Sequence, residues 1–381
     1  MSGLEGIREE IDRIDDGLVE LFRRRMEIVG KVADAKRGSG ASVTDPARER
    51  AVLARVVERV GPECADGARL LFSTLFGLSK ARQRAIIRGE SPLVSEILKA
   101  AAAGAPFPSR AVVACPGTEG SYAQQAASRL FQIPTILYFS GFESIFEAVE
   151  KGLCPYGILP VENSAAGSVA QVYDLMLKHR FHIARAVRVK VDHVLLGVPG
   201  AKLEDIREIA SHPHALAQCN AFLRARPKVK AVPGSNTAVA AKELAASGRT
   251  DRAVIASRAC AELYGLDILA EGIADAAFNY TRFICISRGL EISPDASKIG
   301  IMLSLPHRPG SLSETISKFA AIGVNLTKLE SRPLPGMDFE FRFTFEFEAT
   351  PNDPAVLGLL SELSLDPEVE HFTFLGAYAE K

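Results

Sequence analysis

The sequence predicts a multidomain protein, in which an all-α segment, an α/β segment and an α+β segment follow one another along 381 residues. Three patterns support this fold class. Apolar residues recur every three or four positions up to residue 90, and buried-strand runs alternate with helical patterns from 110 to 290. Residues 297–381 have the order strand, helix, strand, strand, helix, strand. The stretch 91–109, a short helix with Ala, Gly and Pro, is typical of a linker.

The composition excludes several classes of function. With 45 basic and 46 acidic residues and no long basic run, the chain has no electrostatic footprint for nucleic acid. The six cysteines lack the spacing of a metal site, so we expect reduced thiols and no metal. No apolar run reaches the length that spans a membrane, and the first residues have no signal-peptide core. We therefore expect a soluble, cytoplasmic protein that binds no membrane.

One cation stands where the first helix should have an apolar residue. Apolar residues at positions 4, 7, 11, 14, 18, 21, 28 and 32 form a helical seam, and Arg25 lies in that seam. A guanidinium facing a helical core is costly unless an anion meets it, so a bound carboxylate is the natural partner. Lys36 follows close to three turns later, on the same face and about 16 Å along the axis. A small dianion fits between the two side chains.

Arg8 lies about 25 Å from Arg25 along the same helix and roughly 100° off its face, too far to reach the same ligand. If Arg8 serves this kind of site, the site belongs to another subunit. The alternative interpretation is that Arg8 and Lys36 are solvated surface charges.

The next two helices add polar groups. Asp45 followed by Pro46 is typical of a helix start, and it places Arg48 and Glu49 in the first turn. A third helix, residues 65–87, has two polar side chains one turn apart on one face. These are Ser79 and Gln83.

Together these residues resemble the all-helical class of chorismate mutases, over roughly the first ninety residues. The matching positions are Arg8, Arg25, Lys36, Asp45, Arg48, Glu49, Ser79 and Gln83. The resemblance implies an intertwined homodimer or a higher homo-oligomer, and rearrangement of chorismate to prephenate without a covalent intermediate.

The resemblance also implies a role for each group. Arg25 and Arg48, with Arg8 of the partner subunit, would clamp the two carboxylates of chorismate. Lys36 and Gln83 would donate to the ether oxygen, where negative charge accumulates. Glu49 would accept from the ring hydroxyl. Ser79 and the backbone near Asp45 would complete the pocket.

The α/β segment has polar or glycine-rich turns after its predicted strands, where such folds keep ligand sites. The predicted strands are 111–115, 156–161, 182–198, 206–211, 253–257 and 282–287. The turns are 117–122, 162–168, 211–213 with Gln218, and 235–238, and a fifth motif spans 279–283. Each alone could be ordinary turn chemistry.

These five motifs resemble prephenate dehydratase over roughly 110–289. The matching stretches are 117–127, GILPVENSAAGSVAQVYDLM from Gly157, DHVLLG from Asp192, SHPHALAQC from Ser211 and the triplet 281–283. The resemblance implies two α/β lobes arranged like a periplasmic ligand-binding protein, with a cleft between them. Asn236 departs from the small hydroxyl or aspartate of many relatives.

The implied reaction removes the ring hydroxyl and the ring carboxylate of prephenate, which gives phenylpyruvate. Thr281 would stand beside the leaving group as a hydrogen-bond donor, and Arg282 would bind a substrate carboxylate. Asn163, Ser211, Gln218 and Thr237 would be polar liners of the cleft. The general acid stays open, with Glu162 and His212 as the candidates.

The last segment has the βαββαβ order of a ferredoxin-like fold, with strands at 299–305, 324–331, 339–347 and 369–378. Phenylalanines at 339, 341, 343, 345 and 347 alternate with polar residues in the third strand. This segment resembles an ACT regulatory domain. The motifs that would bind phenylalanine are Gly310, Ser311 and Leu312 with Pro309, and Glu330, Ser331, Arg332 and Pro333.

The three resemblances together predict a bifunctional enzyme of phenylalanine biosynthesis with feedback by L-phenylalanine, and no cofactor. The predicted domains are 1–90, 110–290 and 297–381. A non-catalytic ligand sensor is the alternative, and it would have no need for Lys36 with Gln83, nor for Thr281. A second alternative gives the dehydratase arogenate as its preferred substrate in place of prephenate.

Overall fold

The computed structural model describes residues 3–276, 278–334 and 341–381. The chain forms two compact units. Unit 1 contains residues up to 98 together with 302–347 and 352–373, and unit 2 contains 99–301, 348–351 and 374–381. Among the described residues, no helix is both long enough and apolar enough to cross a membrane.

The amino-terminal part of unit 1 is helical, as predicted. Its elements are α1 (Gly3–Ser39), α2 (Pro46–Val60), a 3₁₀ turn (Pro62–Cys64), α3 (Ala65–Arg88) and α4 (Pro92–Ala103), whose last turn belongs to unit 2. The Asp45 carboxylate caps α2, because it accepts the backbone N–H of Arg48 at 2.9 Å. Helix α3 packs against both α1 and α2.

The apolar seam of α1 is largely exposed in the single chain. Val29 and Ala33 are buried, whereas Ile7, Ile14 and Leu18 are each more than half exposed. Over most of its length, a helix of 37 residues, about 55 Å, presents an apolar stripe without a partner from the described part of its own chain.

The carboxyl-terminal segment has the predicted order of elements. They are β12 (Lys298–Ser304), α12 (Ser311–Ala321), β13 (Asn325–Pro333), β14 (Phe341–Glu348), α13 (Pro354–Leu365) and β15 (Glu370–Glu380). Phe319 of α12 packs on Phe345 and Phe347 of β14, with ring centroids 5.3 and 5.1 Å apart. Phe339 lies outside the described residues. Within unit 1, strand β13 lies beside β14.

Unit 2 contains two sheets. The first sheet has the strands β1 (Arg110–Pro116), β2 (Ile133–Phe139), β3 (Tyr156–Asn163), β4 (Gly167–Ser168), β5 (His182–Lys190) and β11 (Tyr280–Ser287). The second has β6 (His193–Gly197), β7 (Glu208–Ser211), β8 (Lys230–Pro233), β9 (Arg252–Ser257) and β10 (Asp267–Ala270), in the order β10-β6-β9-β7-β8. Each sheet with its helices makes one lobe.

The helices of unit 2 cover these sheets. They are α5 (Tyr122–Leu130), α6 (Phe142–Glu150), α7 (Ala170–His179), α8 (Pro213–Gln218), α9 (Asn220–Arg224), α10 (Thr237–Ser247) and α11 (Ala259–Tyr264), with a 3₁₀ turn at Leu203–Asp205. The predicted single strand 182–198 is wrong, because the chain leaves one sheet after Lys190 and enters the other at His193. Four strands were not predicted, namely β2, β4, β8 and β10.

The end of the chain completes the first sheet of unit 2. Ala379 and Glu380 of β15 pair in parallel with Arg185 and Ala186 of β5. The Glu380 carboxylate lies 3.3 Å from Arg282 and 2.5 Å from Lys298, and its side chain is only 10% exposed. Burial raises the pKa of Glu380, but the charges of Arg282, Lys298 and Arg188 outweigh it and lower the pKa overall. The last residues therefore belong structurally to unit 2, whereas the predicted domain boundary assigned them to the third segment.

Glu380→Gln should lower the stability of unit 2 by about 3 kcal/mol, because it removes a buried carboxylate that pairs with both Arg282 and Lys298. A carboxylate whose pKa is lowered on folding stabilises above its unfolded pKa of about 4.3, and that stabilisation is lost as the pH falls through the folded value. The difference in melting temperature from the parent chain should therefore be largest near neutral pH and shrink in acid. The control is Glu370→Gln, an exposed residue of the same strand. Equal melting of the Glu380 variant and the parent at pH 7 would contradict this expectation.

Candidate active sites

Unit 1 contains a cavity of about 850 Å³ between α1, α2 and α3, here called the helical cavity. Seven of the eight residues predicted for the first site line it, and Arg8 does not. The seven are Arg25, Lys36, Asp45, Arg48, Glu49, Ser79 and Gln83. The prediction that Arg25 and Lys36 point to one face of α1 is confirmed.

Arg25 is held in place from α3. Its guanidinium donates to the carbonyl of Leu75 at 3.1 Å and to the hydroxyl of Ser79. Both acceptors are uncharged, and burial lowers the pKa of Arg25. A substrate carboxylate would supply the anion that this partly buried cation needs.

Two further donors face the same cavity. The Lys36 ammonium donates to the carbonyl of Val43 at 3.0 Å, which holds it over the loop before α2. The Gln83 amide donates to the carbonyl of Ser79 at 3.3 Å, and its Oε1 has no hydrogen-bond partner among the described residues. An ammonium and an amide thus line the same cavity, each with hydrogen-bonding capacity to spare.

Three cations of the helical cavity were not predicted. Lys80 lies 3.3 Å from the Glu49 carboxylate, and their side chains are 12% and 28% exposed. Arg24 and Arg55 also line the cavity. The helical period could have predicted Arg55, because this residue follows Arg48 by about two turns. For Lys80, the only indication in the sequence is its position next to Ser79. With these residues the described lining of the helical cavity has six cations and two carboxylates, and this positive excess favours an anionic ligand.

Unit 2 contains a second cavity, of about 390 Å³, here called the interlobe cavity. It lies where the chain crosses between the two sheets, and five predicted residues line it. These are Asn163, Gln218, Thr237, Thr281 and the candidate acid His212. Asn236 lines the cavity too, and its side chain caps α10 by accepting from the N–H of Ala238 at 2.8 Å. The described lining residues include three histidines and no Asp or Glu.

Three predicted residues of the second site do not reach the interlobe cavity. In β11 successive side chains point to opposite faces, so Thr281 faces the cavity while Arg282 faces the end of β15 and its Glu380. The same alternation in β3 places Glu162 on the face opposite to that of Asn163, which lines the cavity. Ser211 is fully buried, and its hydroxyl donates to the carbonyl of Ile255 at 2.6 Å. The predicted roles of Arg282, Glu162 and Ser211 as ligands of this cleft are corrected accordingly.

Thr281 belongs to a hydrogen-bond network that joins both lobes. The Asn163 amide nitrogen donates to the Thr281 hydroxyl at 3.0 Å and to Asn279 Oδ1 at 2.7 Å. Gln218, from the other lobe, donates to Asn163 Oδ1 at 3.3 Å. The threonine hydroxyl therefore accepts from an amide and keeps its own proton for a ligand.

His193 is a residue of the interlobe cavity that the sequence reasoning missed. It is buried, and its Nε2 donates to Gln218 Oε1 at 3.0 Å. Its Nδ1 lies 3.3 Å from the Tyr122 hydroxyl, which donates to the carbonyl of Asp192 at 2.9 Å. Burial lowers the pKa of His193, so the ring is neutral at physiological pH. The available signal was its place in the motif DHVLLG, at the crossing between the sheets.

The motifs proposed for an effector lie apart in the single chain. Ser311 and Leu312 line a cavity of about 370 Å³ with Phe341 and Phe343, and Gly310 opens α12 with φ of 92°. Glu330 lies on β13, paired with Lys328 and Arg332 at 3.2 and 3.0 Å. The residues of the second motif, Glu330, Ser331, Arg332 and Pro333, do not line that cavity.

Comparison with known proteins identifies two of the three segments of the chain, the all-α one and the α/β one. A family model described as prephenate dehydratase matches residues 113–290, and one described as chorismate mutase type II matches residues 7–84. Arogenate dehydratase/prephenate dehydratase 1 of Arabidopsis thaliana, a chloroplastic protein, is 38% identical over 263 residues, which are 65% of this chain and 67% of that one. Arogenate dehydratase 2 of Petunia hybrida is 36% identical over 284 residues, 70% of either chain.

Two solved structures extend the comparison. Prephenate dehydratase of Arthrobacter aurescens in complex with L-Phe has 31% identity and a TM-score of 0.63, with 70% of this chain and 89% of that one covered. GqqA, described as a novel type of quorum-quenching acylase, has 31% identity and a TM-score of 0.63, with 71% and 98% covered.

Proposed function

Since this chain belongs to the prephenate dehydratase family and has a chorismate mutase type II domain at residues 7–84, we propose that it converts chorismate to phenylpyruvate through prephenate. The observation that carries the proposal is the presence of two separate cavities, each lined by the groups that one of the two reactions needs. The helical cavity would perform the rearrangement, and the interlobe cavity the dehydration with decarboxylation.

The rearrangement needs positioning and charge stabilisation and no proton transfer. Arg25 and Arg48 would bind the carboxylates of chorismate in the compact conformation that reacts. Lys36 and Gln83 would donate to the ether oxygen as its bond to carbon breaks. Glu49, held by Lys80, would accept from the ring hydroxyl.

We propose that a second copy of the chain completes the helical cavity. The exposed apolar seam of α1 supports this, because a stripe that includes Ile7, Ile14 and Leu18 would be buried by a partner helix. In such a pair, Arg8 of one chain would reach the cavity of the other. Arg8 is exposed and does not line the cavity of its own chain.

Mixing an Arg8→Ala chain with a Lys36→Ala chain should restore part of the mutase activity that each variant lacks alone. In the mixed dimer one of the two cavities regains all of its groups, so about half of the sites in that species should work. The measurement is chorismate turnover by co-expressed chains with different tags, purified as the heterodimer. A verified heterodimer as inactive as both parents would refute a site shared between subunits.

The interlobe cavity favours prephenate over arogenate as the substrate. Arogenate carries an ammonium group where prephenate carries a keto group, and an ammonium would call for a carboxylate in the site. The described lining residues include none. The plant relatives are named arogenate dehydratases, so the experiment compares kcat/KM for the two substrates with the purified chain. A higher kcat/KM for prephenate supports the proposal. A higher kcat/KM for arogenate would instead make arogenate the preferred substrate.

The contacts of Thr281 do not support this residue as the nucleophile of an acylase activity like that in the description of GqqA. An acylase needs a nucleophile activated by a base. The Thr281 hydroxyl instead accepts a hydrogen bond from the Asn163 amide.

Feedback by L-phenylalanine is part of the proposal. The complex of the Arthrobacter aurescens enzyme with L-Phe and the βαββαβ segment of this chain support it. Gly310 would let the backbone approach the ligand, and Glu330 to Pro333 of a neighbouring subunit would close the pocket. Calorimetry with the full chain tests binding, and absence of heat with L-phenylalanine would remove the regulatory role.

A further inference from the structure

Two histidines lie together at the wall of the interlobe cavity. His212 and His214 flank Pro213 at the start of α8, and both line the cavity. Their rings stack with centroids 5.3 Å apart and planes 14° from parallel. The site as described so far uses neither ring.

The structure determines which nitrogen of His212 carries the proton. Its Nδ1 accepts the backbone N–H of His214 at 3.2 Å and so caps α8. A nitrogen that accepts a hydrogen bond keeps its lone pair, and the proton of the neutral ring is then on Nε2. Burial and the neighbouring His214 lower the pKa of His212, which favours this neutral form. The neutral ring of His212 therefore offers its Nε2–H as a donor at the cavity wall.

Three other donors of the cavity already have partners. His193 gives its Nε2 proton to Gln218, and the Tyr122 hydroxyl donates to the carbonyl of Asp192. The Asn163 amide donates to Thr281 and Asn279. Glu162, the other candidate for the acid, does not line the cavity.

We propose that His212 is a catalytic residue of the dehydratase, whose Nε2–H donates a hydrogen bond to the hydroxyl that leaves the ring of prephenate. This inference rests on the proposed dehydratase function. It assigns a second donor to the leaving oxygen beside Thr281.

The step balances without an added reactant. The bond between the ring and its carboxylate breaks and releases carbon dioxide, and its electron pair moves through the ring as the ring becomes aromatic. The C–O bond at the far end of the ring breaks, and oxygen leaves as hydroxide between the His212 N–H and the Thr281 O–H. Prephenate dianion thus gives phenylpyruvate anion, carbon dioxide and hydroxide, which solvent protonates. His212 remains neutral and stabilises the charge that develops on oxygen.

Three substitutions of His212 distinguish its role as a hydrogen-bond donor from its role as the cap of α8. His212→Asn keeps the cap, because asparagine is a favoured N-cap residue, but its short amide cannot reach where Nε2 was. His212→Gln places an amide N–H at about the reach of Nε2 and loses the cap. His212→Leu loses both. We expect kcat for prephenate to fall by about 10²–10³-fold in the Asn and Leu variants with little change in KM, and the Gln variant to retain clearly more.

A purely structural role predicts the reverse order, with the Asn variant active and the Gln variant impaired. The inference is overturned if His212→Asn keeps the turnover of the parent chain, or if His212→Gln is no better than His212→Leu. Mutase activity and the melting temperature of each variant establish that the chain is folded. If the parent chain itself does not turn over prephenate, the proposed function fails instead, so the two failures are distinguishable.

Discussion

Thr281→Ala should lower dehydratase turnover by about 10²–10³-fold with little change in KM. The hydroxyl faces the interlobe cavity and is held there by the Asn163 amide at 3.0 Å. Because that contact occupies a lone pair of oxygen, the hydroxyl proton stays available to the proposed substrate, on which charge would develop only as the C–O bond breaks. Removing the hydroxyl therefore weakens the transition state far more than the bound substrate.

Thr281→Ser is the matched control, because it keeps the hydroxyl and removes only a methyl group. It should retain most of the turnover with prephenate. Chorismate turnover by the same variants reports on unit 1 and should be unchanged. Near-normal turnover of prephenate by Thr281→Ala would remove this residue from the mechanism.

The helical site was predictable because a helix has a fixed angular step. Arg25 and Lys36 are close to three turns apart, so their common face follows from numbering alone. The same arithmetic placed Arg8 off that face, and the structure leaves Arg8 outside the cavity of its own chain. What numbering could not supply is which residues of other helices lie opposite, and Lys80 was missed for that reason.

The strand site was predictable only in part. The side chains of a strand alternate between its two faces. An error of one residue therefore decides which of two adjacent side chains is assigned to a cleft. Thr281 and Arg282 were both assigned to the substrate, although adjacent residues of β11 cannot face the same cavity. Glu162 and Asn163 pose the same choice in β3. The alternation rule alone allows only one member of each pair to enter the cleft, and which member enters depends on how the two lobes fold together.

Pairings between residues far apart in the chain could not be predicted from the sequence. Nothing near Arg282 indicates that its anion is Glu380, about a hundred residues later, because that contact depends on β15 pairing with β5. The consequence is practical. A chain cut after Gly289 to remove feedback would also remove Glu380, which pairs with the buried Arg282, so a loss of dehydratase activity in it could not be assigned to regulation. Substitutions in the full chain avoid this problem.

Lys36→Ala should reduce mutase turnover by two or more orders of magnitude, about the effect of losing a donor to a developing oxyanion. The ammonium lines the helical cavity, and its contact with the Val43 carbonyl fixes its position and leaves two of its protons for a ligand. The ether oxygen of chorismate gains charge only as its bond to carbon breaks, so kcat should fall more than KM rises. Dehydratase activity with supplied prephenate should be nearly intact, because the interlobe cavity lies in the other unit.

Lys31→Ala is the control for this prediction, since Lys31 is an exposed lysine of the same helix and does not line the cavity. It loses the same charge from α1 and should keep full mutase activity. If both variants lost turnover equally, the effect would come from the net charge or stability of the helix and not from a contact with the substrate. Equal loss of mutase and dehydratase activity in Lys36→Ala would also contradict the prediction, because it would mean that the substitution disturbs the whole chain. Loss confined to chorismate turnover, with Lys31→Ala unaffected, would identify Lys36 as a group that acts on the breaking bond.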